Sequence, residues 1–182
     1  MNALLHNLSA SLSGFFPELI LISFLLAILT LGLFKVSEKI LLALCASGFI
    51  LSAVVVIQGG WNFHSVLFND MLRADGTSSY FKTLIDISGF LTCLLSLKKP
   101  KDRRAEYFLF LLAIALSGHL LVMSTNFVMI FLSIELLSIS GYVLVGFSFT
   151  KASSEGSLKY FLFGAAASAV MLYGFSILYG MT

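Results

Sequence analysis

Asn126-Phe127-Val128-Met129-Ile130-Phe131-Leu132-Ser133-Ile134-Glu135-Leu136-Leu137-Ser138-Ile139-Ser140-Gly141-Tyr142-Val143-Leu144-Val145-Gly146-Phe147-Ser148-Phe149 is apolar almost throughout and long enough to cross a bilayer as a helix. It carries a single carboxylate. At ~1.5 Å per residue Glu135 lies about 13 Å from Asn126, near the middle of a hydrocarbon layer ~30 Å thick. An acid at that depth faces protein or water rather than lipid. Ser138, Tyr142 and Gly146 share its side of the helix and form a narrow polar and small stripe.

The rest of the chain reads the same way. Of its 182 residues 59% are hydrophobic and 11% charged, with a mean hydropathy of +1.01. Soluble domains average about 25% charged residues. The reading is therefore an all-α integral membrane protein forming a single transmembrane domain over residues 1–182, with the lipid bilayer as its surroundings and no nucleic-acid partner. Six helices are predicted, near 17–34, 40–57, 79–97, 106–123, 126–149 and 157–179. The first opens on Pro17, suited to an initial helical position, and Glu18, suited to the positive end of the helix dipole. Only Ser124, Thr125 and Asn126 separate the fourth and fifth, which predicts an antiparallel hairpin. A polar loop from Gly59 to Thr77 separates the second and third. No basic leader or cleavage pattern marks a signal peptide, so the first apolar segment is expected to stay as a helix.

The basic residues orient the chain. Lys35 and Lys39, then Lys98, Lys99, Lys101, Arg103 and Arg104, then Lys151, all fall in loops on one side. That side is expected to be the cytoplasm, or the matrix or stroma of an organelle, with the N-terminus outside. The expected location is a cell inner membrane, or an organelle inner membrane or thylakoid in a eukaryote. Trp61 and Tyr107, near segment ends, suit interface anchors.

Glu135 leads the candidates for chemistry, because a carboxylate held between apolar surroundings and a nearby cation can take up and release protons. Lys159 is the expected partner, although at one turn's depth it could equally snorkel to the interface. Asp86 and Lys82, four residues apart, could neutralise one another across one turn and face a neighbouring helix as an ion pair. His119, beside Gly118, fits a hydrogen-bonding packing residue and could also shuttle protons. Lys82, Asp86 and His119 are thus secondary candidates. His64 and His6 have no ligand partners at useful spacing. Cys45 and Cys93 sit singly in apolar runs and read as buried packing residues, not a metal site or a disulfide. Gly164-Ala165-Ala166-Ala167-Ser168 provides a small-xxx-small pair for close helix packing. No phosphate-cradling loop, metal constellation or nucleophile–base pair is present in the sequence, so no redox chemistry and no cofactor is expected in this chain.

From Glu135 outward the sequence resembles a known family. Phe131-Leu132-Ser133-Ile134-Glu135-Leu136-Leu137-Ser138 is similar to the fifth helix of the proton-pumping, antiporter-like membrane subunits of respiratory complex I (NADH:quinone oxidoreductase, type I NADH dehydrogenase). Phe16-Pro17-Glu18-Leu19, Leu72-Arg73-Ala74-Asp75-Gly76, Glu106-Tyr107-Phe108 and Ser157-Leu158-Lys159-Tyr160-Phe161-Leu162 resemble other family segments in order. The residue before Glu135 is not Trp, which separates the chain from subunits L and M and places the resemblance with subunit N, subunit 2 in organelles. The resemblance implies proton translocation by Glu135 and Lys159, coupled to electron transfer from NADH to quinone in other subunits. NADH, FMN, iron–sulfur clusters and quinone are then held by those subunits, and the partners are the other membrane-arm subunits. It also implies a larger fold of about fourteen helices built on inverted repeats, of which this sequence is the N-terminal part. A subunit of a related multisubunit cation/proton antiporter is the alternative. A structural membrane-arm element without a proton role is the second.

Overall fold

A computed structural model gives the fold and describes residues 12, 14–34, 36–59, 65–96 and 104–181. Trp61, His64, His6, Lys35, Lys98, Lys99, Lys101 and Arg103 lie outside the described residues. Among the described residues the long helices are α1 (Phe16–Leu33), α2 (Glu38–Gln58), α3 (Gly76–Leu95), α4 (Arg104–Met123), α5 (Phe127–Val145) and α6 (Lys151–Met181). Helices α1 to α4 pack together as a bundle, α5 lies along α4, and α6 lies along α5.

Where the helices begin and end follows local capping. Helix α3 starts at Gly76, three residues before the expected Ser79, because Asp75 and Ser78 form a reciprocal cap. The Asp75 carboxylate accepts from the Ser78 amide at 2.7 Å, and the Ser78 hydroxyl accepts from the Asp75 amide at 2.8 Å. Asn126 caps α5 by accepting from the Met129 amide at 2.8 Å. Helix α5 ends at Val145 rather than Phe149, where the chain turns through a left-handed Phe149 (φ 50°). Thr150 and Ser153 then cap each other, through Thr150 N to Ser153 Oγ at 3.0 Å and Ser153 N to Thr150 Oγ1 at 3.2 Å. This sets the start of α6 at Lys151, six residues before the expected Ser157.

The all-helical expectation needs one correction. The polar loop before α3 contains two short antiparallel strands, β1 (Ser65–Leu67) and β2 (Leu72–Ala74). Between them Phe68, Asn69 and Asp70 all have positive φ, a conformation that Asn and Asp tolerate better than most residues. The hairpin is tied to the α4–α5 turn. Leu72 bridges Ser124, the Thr125 amide donates to Met71 O at 3.2 Å, and the Thr125 hydroxyl donates to Asp70 O. Leu67, Leu72, Ala74 and Met123 form a small apolar layer across this end of the bundle.

At the opposite end, Arg104 at the start of α4 meets Glu38 at the start of α2 (Nη1–Oε2, 3.1 Å). The main core runs between the two ends, through Leu21, Ile28, Leu41, Cys45, Phe49, Phe108, Leu112 and Cys93. Both cysteines are buried there as free thiols. The Phe49 ring packs directly on Gly89, at a distance that leaves no room for a Cβ. Tyr107 is buried against Phe108 and Phe147 and is not an interface anchor.

The distribution of polarity identifies the solvent. Leu26, Leu33, Leu51, Phe81, Ile87, Leu91, Leu132 and Phe163 point outward, while Glu18, Lys82, Asp86 and His119 are buried. This is the reverse of a water-soluble helical bundle. Five helices (α1, α2, α4, α5 and α6) are long and apolar enough to cross a membrane by length and composition.

Candidate functional site

Helix α3 owes its lower apolarity to one stripe. Ser78, Lys82, Asp86 and Cys93 recur at helical spacing and are buried, while Tyr80, Phe81, Leu84, Ile87 and Leu91 on its other faces are exposed. The stripe faces α1 and α4 and supplies two members of a buried ionisable cluster. Lys82 Nζ lies 2.8 Å from Glu18 Oε1, with the lysine side chain only 3% exposed. The same oxygen lies 3.1 Å from His119 Nδ1. On the other edge of the imidazole, His119 Nε2 lies 3.3 Å from Asp86 Oδ1.

Two sequence expectations change here. Lys82 pairs with Glu18 across the interior of the bundle, from α3 to α1, and not with Asp86 one turn away. The inward-facing ammonium reaches a carboxylate on α1, across the bundle interior, where it gains a short charge-assisted contact in a closed environment. His119 is more than a packing residue, since a carboxylate stands at each of its nitrogens. Glu18 was read only as a helix-dipole partner, yet it is fully buried and joins Lys82 to His119. The signal available for it was the Phe16-Pro17-Glu18-Leu19 motif itself.

Glu135 occupies a second place, on α5. It is half-buried, and its Oε1 is sealed from solvent with no hydrogen-bond partner among the described residues. The stripe it heads faces α6. The Ser157 hydroxyl donates to Tyr142 O at 2.8 Å, the Tyr142 ring meets Tyr160 at 4.7 Å, and Gly146 would meet Ser157 at 3.1 Å through an added Cβ. The Tyr142 hydroxyl rests on Gly164, where any Cβ would collide with it. Gly164→Ala is therefore expected to destabilise the full-length subunit by about 1–3 kcal/mol, seen as a lower unfolding midpoint in detergent. Gly174→Ala, with open space at its Cβ position, should leave it unchanged.

The same register separates Lys159 from Glu135. Gly146 lies opposite Ser157, and Gly141 opposite Tyr160, so Lys159 sits level with Tyr142. Seven residues of helix, about 10 Å, then lie between its level and that of Glu135. Lys159 instead pairs with Glu155 one turn back (2.6 Å), and its side chain is 66% exposed. Extrapolating the register places the small residues near Ala167 and Ser168 at the level of Glu135.

A bundle with apolar outer faces and buried charges is that of a multi-pass membrane protein. Residues 124–182 match the family described as NADH:quinone oxidoreductase/Mrp antiporter, TM. NADH-quinone oxidoreductase subunit N 2 of Chloroherpeton thalassium is 35% identical over 98% of this chain and 37% of its own length. A chain of respiratory complex I from Thermus thermophilus with bound aureothin superimposes with a TM-score of 0.80 at 28% identity, covering 91% of this chain and 37% of that one. A chain of the membrane-bound sulfane sulfur reductase, an archaeal respiratory membrane complex, shares the fold with a TM-score of 0.84 at 17% identity, over 94% of this chain and 38% of that one. Over nearly its whole length the chain is similar to subunit N (subunit 2) among the complex I membrane subunits. It spans little more than a third of the length of these relatives.

Proposed function

We propose that the chain is part of a proton-translocating membrane-arm subunit of an NADH:quinone oxidoreductase. The observation that carries this reading is the Glu135 carboxylate, set deep in an apolar helix with one oxygen shut off from solvent and unbonded. Such a group is costly to keep unless it exchanges a proton or a partner. It lies within the segment matched by the family description. Lys159 acts at the start of α6, near the membrane surface, where a proton would be exchanged with water, and not as the direct partner of Glu135. Electron transfer from NADH to quinone takes place in other subunits, which hold FMN, iron–sulfur clusters and quinone, and this chain contributes no redox group.

In this reading all six helices cross the membrane. Helix α3 does so because its polar stripe is turned inward. The ends of the bundle carrying Lys39, Arg104 and Lys151 face the cytoplasm, matrix or stroma, and the N-terminus and β-hairpin face outward. The subunit sits in a cell inner membrane or its organelle equivalent, against other membrane-arm subunits. The segment forms the beginning of a larger fold of inverted repeats.

A second reading is a subunit of a cation/proton antiporter, because the matched family description names both. A tag on the full-length subunit distinguishes them. Co-purification with flavin and iron–sulfur subunits, with NADH-driven proton uptake in vesicles, is the expected result. Sodium-driven transport without NADH oxidation would replace the first reading by the second.

A further inference from the structure

The cluster built by α1, α3 and α4 contains two carboxylates, one ammonium and one imidazole, all within the bundle and all nearly sealed from solvent. With a neutral imidazole it has one negative charge in excess. One added proton makes it neutral. The geometry also says where that proton goes. Hydrogen on Nδ1 lets the ring donate to the Glu18 carboxylate oxygen at 3.1 Å, the shorter of its two carboxylate contacts. In a neutral ring Nε2 would then present a lone pair to Asp86 Oδ1 at 3.3 Å. Among the described residues neither Nε2 nor either Asp86 oxygen has a hydrogen-bond partner.

We propose that the gap between His119 Nε2 and Asp86 is a proton-binding position, a second titratable site distinct from Glu135. Uptake places one proton on Nε2 or on the facing carboxylate and removes the excess charge. Release restores it. Lys82 holds Glu18, and Glu18 in turn fixes the ring with Nε2 towards Asp86, so both act as positioning residues. Helix α2 brings no charge here, since its Glu38 and Lys39 lie at its opposite end and its buried polar side chain is Ser52. At the hairpin end Arg73 and Asp75 line a polar recess with Met123, Ser124 and Thr125. His119 is one helical turn from Met123 on α4, on the side of that recess.

That the site exchanges its proton during turnover rests on the transport reading above. The test uses the intact complex in vesicles, with protons translocated per quinone reduced followed from about pH 6 to pH 9, the range that brackets an imidazole. The parent should show a titration step. His119→Gln and Asp86→Asn should each remove it, changing the pH dependence of the ratio by about threefold or more, whereas Asp86→Glu should keep the step at a displaced pH. A parent profile with no step overturns the proposal. So does a step that survives in both assembled variants, or one that follows sodium concentration instead of pH. If neither neutral variant assembles, an Asp86→Glu profile identical to the parent's overturns it. Glu135→Gln runs alongside. Normal pumping in that variant with the step lost in the cluster variants removes the role of Glu135 alone, and the opposite pattern removes this proposal alone.

Discussion

Glu18→Leu is expected to destabilise the full-length subunit by about 3–5 kcal/mol, the cost of leaving one charge of a buried pair without its partner. Lys82 would keep its ammonium in a place that is only 3% exposed, with its 2.8 Å contact gone. His119 would lose the acceptor at Nδ1 as well. Glu18→Gln should cost less, because it keeps an acceptor near both groups while removing the charge. Glu18→Leu with Lys82→Leu should recover most of the loss, since replacing both members of a buried pair by apolar groups is often neutral. Unfolding midpoints in detergent for the parent, two single variants and the double variant give the coupling directly. A single Glu18→Leu variant as stable as the parent, or a double variant no better than the worse single, would show that the contact does not hold α1 to α3.

That pair also shows where reading the sequence stops. Helix existence was legible because each apolar run is long, and Asn126 and the Ser124–Asn126 turn mark their boundary chemically. The early starts of α3 and α6 were less so. Asp75 and Ser78, or Thr150 and Ser153, look like loop residues until their reciprocal bonds are known. Along α3 the inward stripe of Ser78, Lys82 and Asp86 could be read from spacing, but spacing alone favours the pairing of Lys82 with Asp86. The choice of Glu18 is made by tertiary contact across 64 residues of chain, and nothing local encodes it. His119 was visible only as a single imidazole, because its two carboxylates come from other helices. The position of Glu135 along α5 was legible, since it needs only a count along one helix. The place of Lys159 was not, because it depends on the α5–α6 register that Gly141, Gly146 and Gly164 impose.

That register separates the expected effects of the last two substitutions. Glu135→Gln, in the assembled complex, should lower the proton-to-electron ratio while quinone reduction continues. The transfer step that passes through Glu135 should slow by about a hundredfold, the lower end of what a positioned acid–base group contributes. The amide keeps the size and hydrogen-bonding capacity of the side chain and loses only the ability to carry a proton, so assembly should be spared. Lys159→Gln should change stability by less than about 0.5 kcal/mol, since an exposed ion pair with Glu155 is worth little. Its effect on the ratio should be smaller than that of Glu135→Gln, because α6 holds the ammonium two turns away from the carboxylate. If the two variants instead lost pumping equally and no double-variant loss exceeded either single one, the two groups would act as one unit. The α5–α6 register seen here would then not be the register of the working subunit.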